Sequence, residues 1–131
     1  MIRRCQPMQF GVAGALLAAT AVGAGAFGAH ALKAIVSPPM LVVYETAVRY
    51  QMYHALGLFV VAWLCRDSND RWAIKAGWLF FAGILLFSGS LYIVALAGIP
   101  LMGAMTPLGG LAFIAGWLCI VLALWRSHTD Q

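Results

Sequence analysis

The sequence has very little charge. Only 9% of its 131 residues are Asp, Glu, Lys or Arg, and 63% are hydrophobic, whereas charged residues make up about 25% of a typical soluble domain. From Ala76 to Trp125, fifty residues pass without a single Asp, Glu, Lys, Arg or His. A water-soluble protein of this size cannot cover its surface with such a stretch. This scarcity excludes a soluble fold and predicts a single transmembrane domain over residues 1–131.

Residues that commonly carry chemistry are also scarce. Cys5, Cys65 and Cys119 are far apart, without CxxC spacing or nearby histidines, so the sequence indicates neither a zinc motif nor a disulfide framework. The net charge of +4 comes from eight basic residues that form no run or helical stripe, which argues against a nucleic-acid partner. No phosphate-binding loop and no nucleophile with an attendant base is present. We therefore expect no enzymatic activity, no metal and no cofactor.

The long uncharged stretch must fold back on itself. As one helix it would extend about 75 Å, more than twice the roughly 30 Å of hydrocarbon in a bilayer. Residues that break helices cluster near its middle: Gly98, Pro100, Gly103, Thr106 and Pro107. Ser37-Pro38-Pro39 predicts an earlier connector, and the polar run 66–71 predicts an aqueous loop.

These breaks delimit four predicted spans, at about residues 8–29, 44–65, 72–97 and 106–126. The predicted fold is an all-α, integral membrane four-helix up-and-down bundle. Basic residues gather at the end that holds both termini and the 66–71 loop: Arg3, Arg4, Arg66, Arg71, Lys75 and Arg126. The opposite end has only Lys33 and Arg49. Because short loops rich in Lys and Arg stay inside the cell, we expect both termini in the cytoplasm.

The first predicted span has one face of small residues, at Gly11, Gly14, Ala18, Ala21, Gly25 and Gly28. Such a face lets another helix approach closely, so it predicts a packing surface. A cleaved signal peptide is the alternative, because Arg3 and Arg4 precede the apolar run and Ala29-His30-Ala31 resembles a cleavage site. The length of the run and the phasing of its small residues favour a retained span.

Ionisable residues inside spans are costly and therefore mark candidate sites. Three lie on the second predicted span: Glu45, Arg49 and His54. Glu45 and Arg49 are four residues apart, which predicts an ion pair at the outer end of the bundle. We interpret this pair as a structural clamp, with a substrate or proton site as the alternative.

His54 is predicted to lie deeper in the bilayer. Ser88 and Ser90 on the third span are expected at a similar depth, and with Tyr92 they complete a predicted polar cluster around the imidazole. Such clusters commonly hold helices together, and a transport or proton-relay role is the alternative. Haem ligation between His30 and His54 is disfavoured, because the two histidines are expected at different depths.

Four phrases, taken in order, carry a resemblance to a known family: residues 25–32 (GAFGAHAL), 44–50 with His54-Ala55-Leu56, 86–92 (LFSGSLY) and 106–110 (TPLGG). The chain resembles the YgdD-like family of small inner-membrane proteins, a domain of unknown function. This resemblance covers all four spans and implies a bacterial inner-membrane location, but no activity or catalytic residue. It also points to His30, Glu45, His54, Ser88, Ser90 and Thr106 as positions to test.

Two functions from different classes lead among those left open by the sequence, and a haem- or quinone-linked component is a third, weaker alternative. The first is a non-enzymatic accessory or structural membrane subunit that acts through helix packing, with the lipid bilayer and either another membrane protein or further copies of itself as partners. The second is a small transporter or channel for a solute or protons, whose pathway passes His54, Ser88 and Ser90.

Overall fold

The computed structural model describes residues 5–129, and nearly all of them are helical. No β-strand occurs in that range. The α-helices are α1 (Cys5–His30), α2 (Pro38–Leu64), α3 (Arg71–Gly83), α4 (Gly89–Ala97) and α5 (Thr106–Thr129). A π-helical turn at Ile84–Ser88 joins α3 to α4, so that Arg71–Ala97 is one continuous helix, here called α3–α4. The four-helix prediction is therefore confirmed, while Arg3 and Arg4 lie outside the described residues.

Three helical segments are long and apolar enough to cross a membrane, namely Pro7–Ala34, Arg71–Ala97 and Pro100–Thr129. The fourth helix, α2, has 27 residues and is thus about 40 Å long, which also exceeds the thickness of the hydrocarbon. It is less apolar because it carries Glu45, Arg49, Gln51 and His54.

The start of α2 differs from the prediction. The helix begins at Pro38 rather than near residue 44, because Ser37 is extended and the two prolines occupy the first turn. Proline is tolerated there, since the first amides of a helix have no intrahelical acceptor. Residues 38 and 39 therefore start the helix instead of forming a connector. Glu45 and Arg49 consequently lie further from the end of α2 than the sequence suggested.

Close contacts at glycines show how the helices run relative to one another. Gly14 packs against Leu58 and Gly28 against Tyr44, so residue numbers rise along α1 as they fall along α2. Gly57 packs against Phe80 of α3. On the other side of α3–α4, Phe113 lies against Gly83 and Phe80 against Gly116. Consecutive helices are antiparallel, as expected, and the small-residue face of α1 is its contact with α2.

The bundle has two distinct ends. The terminal end holds the start of α1, the end of α5 and residues 65–70. There the Asp70 side chain caps α3 by accepting bonds from the Trp72 and Ala73 amides at 2.7 and 3.0 Å. The hairpin end holds the connections at residues 31–37 and 98–105. There Gly98 ends α4 in the left-handed conformation, with φ of 65°, which favours glycine.

Candidate functional site

His54 is buried on α2 and uses both of its ring nitrogens. The indole Nε1–H of Trp117 donates to His54 Nε2 at 3.1 Å. Because an indole N–H can only donate, Nε2 must be the unprotonated nitrogen. The proton is therefore on Nδ1, which donates to the Tyr50 carbonyl at 2.7 Å. The imidazole is neutral, and neither nitrogen is left free.

Aromatic rings surround this imidazole. Phe113 stacks on it with a centroid distance of 3.4 Å and an interplanar angle of 6°. The ring centroids of Phe80 and Trp117 lie 5.4 Å and 5.9 Å, respectively, from the centroid of the imidazole. The stack continues towards the hairpin end, where the ring centroids of Tyr50 and Phe87 are 4.5 Å apart. His54 is thus fixed in an aromatic core between α2, α3 and α5, which sequence analysis did not anticipate.

A second polar centre lies at Gln51, which sequence analysis missed. Its Nε2 donates to the Leu17 carbonyl and to Thr20 Oγ1, both at 2.9 Å. Tyr92 Oη donates to Gln51 Oε1 at 2.8 Å. One buried amide therefore connects α1, α2 and α4. The sequence does show Gln51 as a polar amide in the middle of a span. It was missed because only ionisable residues within the spans were considered as candidates.

The serines make separate contacts of their own. Ser88 is fully buried, and its hydroxyl donates to the Ala47 carbonyl of α2 at 2.7 Å. The Ser90 hydroxyl donates to the Phe87 carbonyl at 2.9 Å and lies 2.7 Å from Thr106 Oγ1. Thr106, at the start of α5, is thereby linked to α4. Each hydroxyl joins neighbouring segments of the chain, which is how polar groups hold helices together in lipid.

The structure does not bring Ser88, Ser90 and Tyr92 together around His54, and the predicted cluster is corrected in this respect. Ser88 is level with Ala47, which lies seven residues from His54 along α2, a separation of about 10 Å. The prediction measured depth from a span that begins near residue 44, whereas α2 begins at Pro38, six residues and about 9 Å earlier. The π-helical turn also changes the facing of the residues that follow it.

The predicted ion pair is present, but it is not a clamp between helices. Arg49 Nη2 lies 3.5 Å from Glu45 Oε2, and the two side chains are 65% and 46% exposed, respectively. Both residues belong to α2, so the pair connects two turns of one helix.

His30, the last residue of α1, is exposed at the hairpin end. It lies near Tyr44, ten residues from His54 and thus about 15 Å away along the bundle, too far for a shared metal or haem.

The interior polar groups satisfy one another. Among the described residues, no buried side-chain nitrogen or oxygen lacks a hydrogen-bond partner. Two surface grooves lie at the terminal end, and a third runs along the side of α4 towards the hairpin end, where Thr106 lines it. None of these three is lined by Gln51, His54 or Ser88. In the same part of the chain, no group of three His, Cys, Asp or Glu residues is placed to hold a metal. Cys65 and Cys119 are buried free thiols.

Comparison with known proteins gives a consistent family. Residues 24–110 match the family described as "Protein of unknown function (DUF423)". The chain is 54% identical over 115 residues to the UPF0382 membrane protein YwdK of Bacillus subtilis (strain 168), covering 87% of this chain and 94% of the relative. It is 48% identical over 119 residues to the UPF0382 membrane protein SH2409 of Staphylococcus haemolyticus (strain JCSC1435), covering 89% and 95%. No solved structure matches. The resemblance found in the sequence is confirmed, and the chain belongs to the DUF423 family of membrane proteins, whose description assigns no activity.

Proposed function

We propose that this chain is a multi-pass protein of the bacterial inner membrane that acts without enzymatic activity, as an accessory or structural subunit, through contacts between helices. The observation that carries the proposal is the pairing of His54. Its two nitrogens are occupied by Trp117 and by the Tyr50 carbonyl, both within the bundle. The one imidazole of the described interior therefore serves to join α2 to α5.

A proton relay or a solute pathway makes different demands on the same residues. A relay needs a nitrogen that can exchange its proton with water or with another titratable group. A solute site needs polar atoms that are free to bind the solute, usually facing a cavity. In this structure the amide of Gln51, the hydroxyl of Ser88 and the Nε2 of His54 are instead hydrogen-bonded to neighbouring helices. This arrangement supports helix packing over transport.

The proposed orientation places the terminal end in the cytoplasm. Arg66, Arg71, Lys75 and Arg126 lie at that end, whereas Lys33 lies at the hairpin end, and short basic loops remain on the cytoplasmic side. The Lys75 ammonium lies 4.5 Å from the centroid of the Trp72 ring, and the Arg71 guanidinium 5.5 Å. Such cation–π contacts suit an aromatic belt at a charged membrane surface.

Accessibility of Ser88 tests the proposal. Ser88→Cys is introduced into a chain whose three native cysteines are alanine, and intact cells and inverted vesicles are treated with a membrane-impermeant thiol reagent. We expect no labelling from either side, with full labelling after unfolding in detergent. Reaction of Ser88→Cys in folded protein would contradict the packing role and favour the transport alternative.

Two control positions make the result interpretable. Ser37 and Ser68 are exposed, at the hairpin end and the terminal end respectively. Under the proposed orientation, Ser37→Cys reacts in intact cells, whereas Ser68→Cys reacts only in inverted vesicles. The reverse pattern would contradict the orientation without affecting the conclusion about Ser88.

A further inference from the structure

One face of α2 contacts no other helix of the bundle. Its residues point away from α1, α3–α4 and α5 and share one side of the helix; we call this the α2 lipid face. It consists of Val42, Glu45, Arg49, Tyr53, Leu56, Val60 and Trp63. The side chain of Arg49 is 65% exposed and that of Glu45 is 46% exposed.

The position of the charges on this face is unusual. Arg49 is the twelfth residue of the 27-residue helix that begins at Pro38, so it lies close to the middle of α2. Glu45 and Arg49 are the only Asp, Glu, Lys or Arg residues in α2, and residues 5–32 and 76–125 contain none. A guanidinium near the middle of a span is costly when it faces lipid, even when its long side chain reaches towards the headgroups. A cover of protein would remove this cost.

The spacing on the α2 lipid face suits a partner helix. Val42, Arg49, Leu56 and Trp63 recur every seven residues, and Tyr53 and Val60 are also seven apart. A strict seven-residue repeat keeps one seam facing a second helix along its whole length when the two wind around each other. The face thus extends over most of α2 as a continuous strip rather than a single contact point.

We infer that the α2 lipid face docks a second copy of this chain, an inference that rests on the proposed role of helix contacts in the membrane. Copies inserted in the same orientation present parallel α2 helices at equal depth, related by a two-fold axis along the membrane normal. At equal depth Arg49 lies opposite Arg49 of the other copy, and Glu45 of each copy lies one turn, about 6 Å, from the Arg49 of the other copy along the membrane normal. These long side chains can span that offset diagonally across the contact. The two diagonal Glu45–Arg49 pairs place a charge of opposite sign beside each charge, so the face is complementary to itself. The four charges neutralise one another away from lipid.

Disulfide cross-linking in membranes tests the contact. In the chain without native cysteines, single cysteines replace Leu56 or Val60 on the α2 lipid face. The matched control is Leu16→Cys on α1, which lies at nearly the same depth, because Gly14 packs against Leu58. Its exposure is also similar, 63% against 52% for Leu56. A disulfide forms only between Cα atoms within about 7 Å.

Oxidation is expected to give a dimer from Leu56→Cys or Val60→Cys and little or none from Leu16→Cys. No dimer from either α2 position, or equal dimer from Leu16→Cys, would overturn the inference. Both α2 positions are exposed, so these changes leave the core of the bundle intact.

The charges are tested by mixing two variants with different tags. Glu45→Gln and Arg49→Gln each abolish the ion pair within α2, so any remaining difference reports a pair between copies. A mixed dimer regains one Glu45–Arg49 pair, whereas neither homodimer does. With Leu56→Cys in both chains, the mixed cross-link should exceed the homodimers by about two- to fivefold, the ratio given by a modest ion pair. The reference is a mixture of two differently tagged chains that carry Leu56→Cys but retain Glu45 and Arg49. The ratio of mixed cross-link to homodimers in the variant mixture is divided by the same ratio in this reference. Equal yields would overturn the charge pairing.

A photoreactive amino acid at position 56 separates this inference from the proposed function. An adduct with twice the mass of the chain supports the second copy. An adduct with a different membrane protein, or with lipid alone, contradicts it. Neither of these outcomes bears on Ser88, whose accessibility tests the proposed function independently.

Discussion

The contact between Gly109 and the π-helical turn gives a sharp prediction. A Cβ added at Gly109 would lie 2.7 Å from Phe87 Cβ and 2.8 Å from Phe87 Cα, and it would also meet the Phe87 amide nitrogen. These are largely backbone atoms and cannot rotate away. A Cβ added at the next residue, Gly110, would come no closer than 3.9 Å, to the Phe87 ring. The two positions are adjacent in α5 and differ chiefly in this clearance.

The magnitude follows from the comparison of Gly109→Ala with Gly110→Ala. Carbon atoms pack at about 3.5–4.0 Å, so Gly109→Ala must move α5 away from α3–α4 by about 1 Å. Overpacking of this kind costs about 1–3 kcal/mol. The gain in helix propensity from Gly to Ala, up to about 1 kcal/mol, is common to both variants and cancels in their difference. Gly109→Ala should therefore be less stable than Gly110→Ala by about 1–3 kcal/mol.

Unfolding in mixed micelles measures this difference. The protein in a mild detergent is titrated with sodium dodecyl sulfate, and the tryptophan signal reports loss of tertiary structure. Gly110→Ala should unfold at or above the wild-type midpoint, and Gly109→Ala clearly below it. Equal midpoints for the two variants would refute the close approach of α5 to the π-helical turn.

Two further predictions concern the polar contacts. Gln51→Leu removes the bonds to α1 and Tyr92, so stability should fall by about 1–2 kcal/mol, and amide hydrogen exchange should rise most in α1; an even rise along the chain would contradict this account. Ser90→Ala and Thr106→Val should each cost about 0.5 kcal/mol, and the double variant should cost no more than either alone. Additive losses would show that these two hydroxyls do not pair.

The sequence predicted what depends on local signals. The length of the uncharged stretch and the cluster from Gly98 to Pro107 were sufficient to predict α3–α4, its end and the start of α5. The periodic small residues of α1 identified its contact with α2. These features can be read from the chain because hydrophobic length and glycine or proline positions act locally.

The interior depends on contacts that the sequence does not display. The π-helical turn at Ile84–Ser88 has no obvious local signature, and it alters the facing of the residues that follow it, Tyr92 among them. The start of α2 at Pro38 rather than near residue 44 sets the depth of His54 relative to Ser88. The hydrogen bond from Trp117 to His54 joins residues 63 positions apart. Without a known register between α2 and α5, the partner of His54 could not be identified.

The most direct test of the account is the protonation state of His54 in a bilayer. In a chain with His30 and His128 replaced by Gln, nitrogen-15 labelling of histidine reports His54 alone in solid-state NMR. We predict one proton, on Nδ1, that does not exchange with heavy water, and an unprotonated Nε2 that shows coupling to the Trp117 indole. A proton on Nε2, protons on both nitrogens, or rapid exchange with water would contradict the claim that this imidazole is committed to packing.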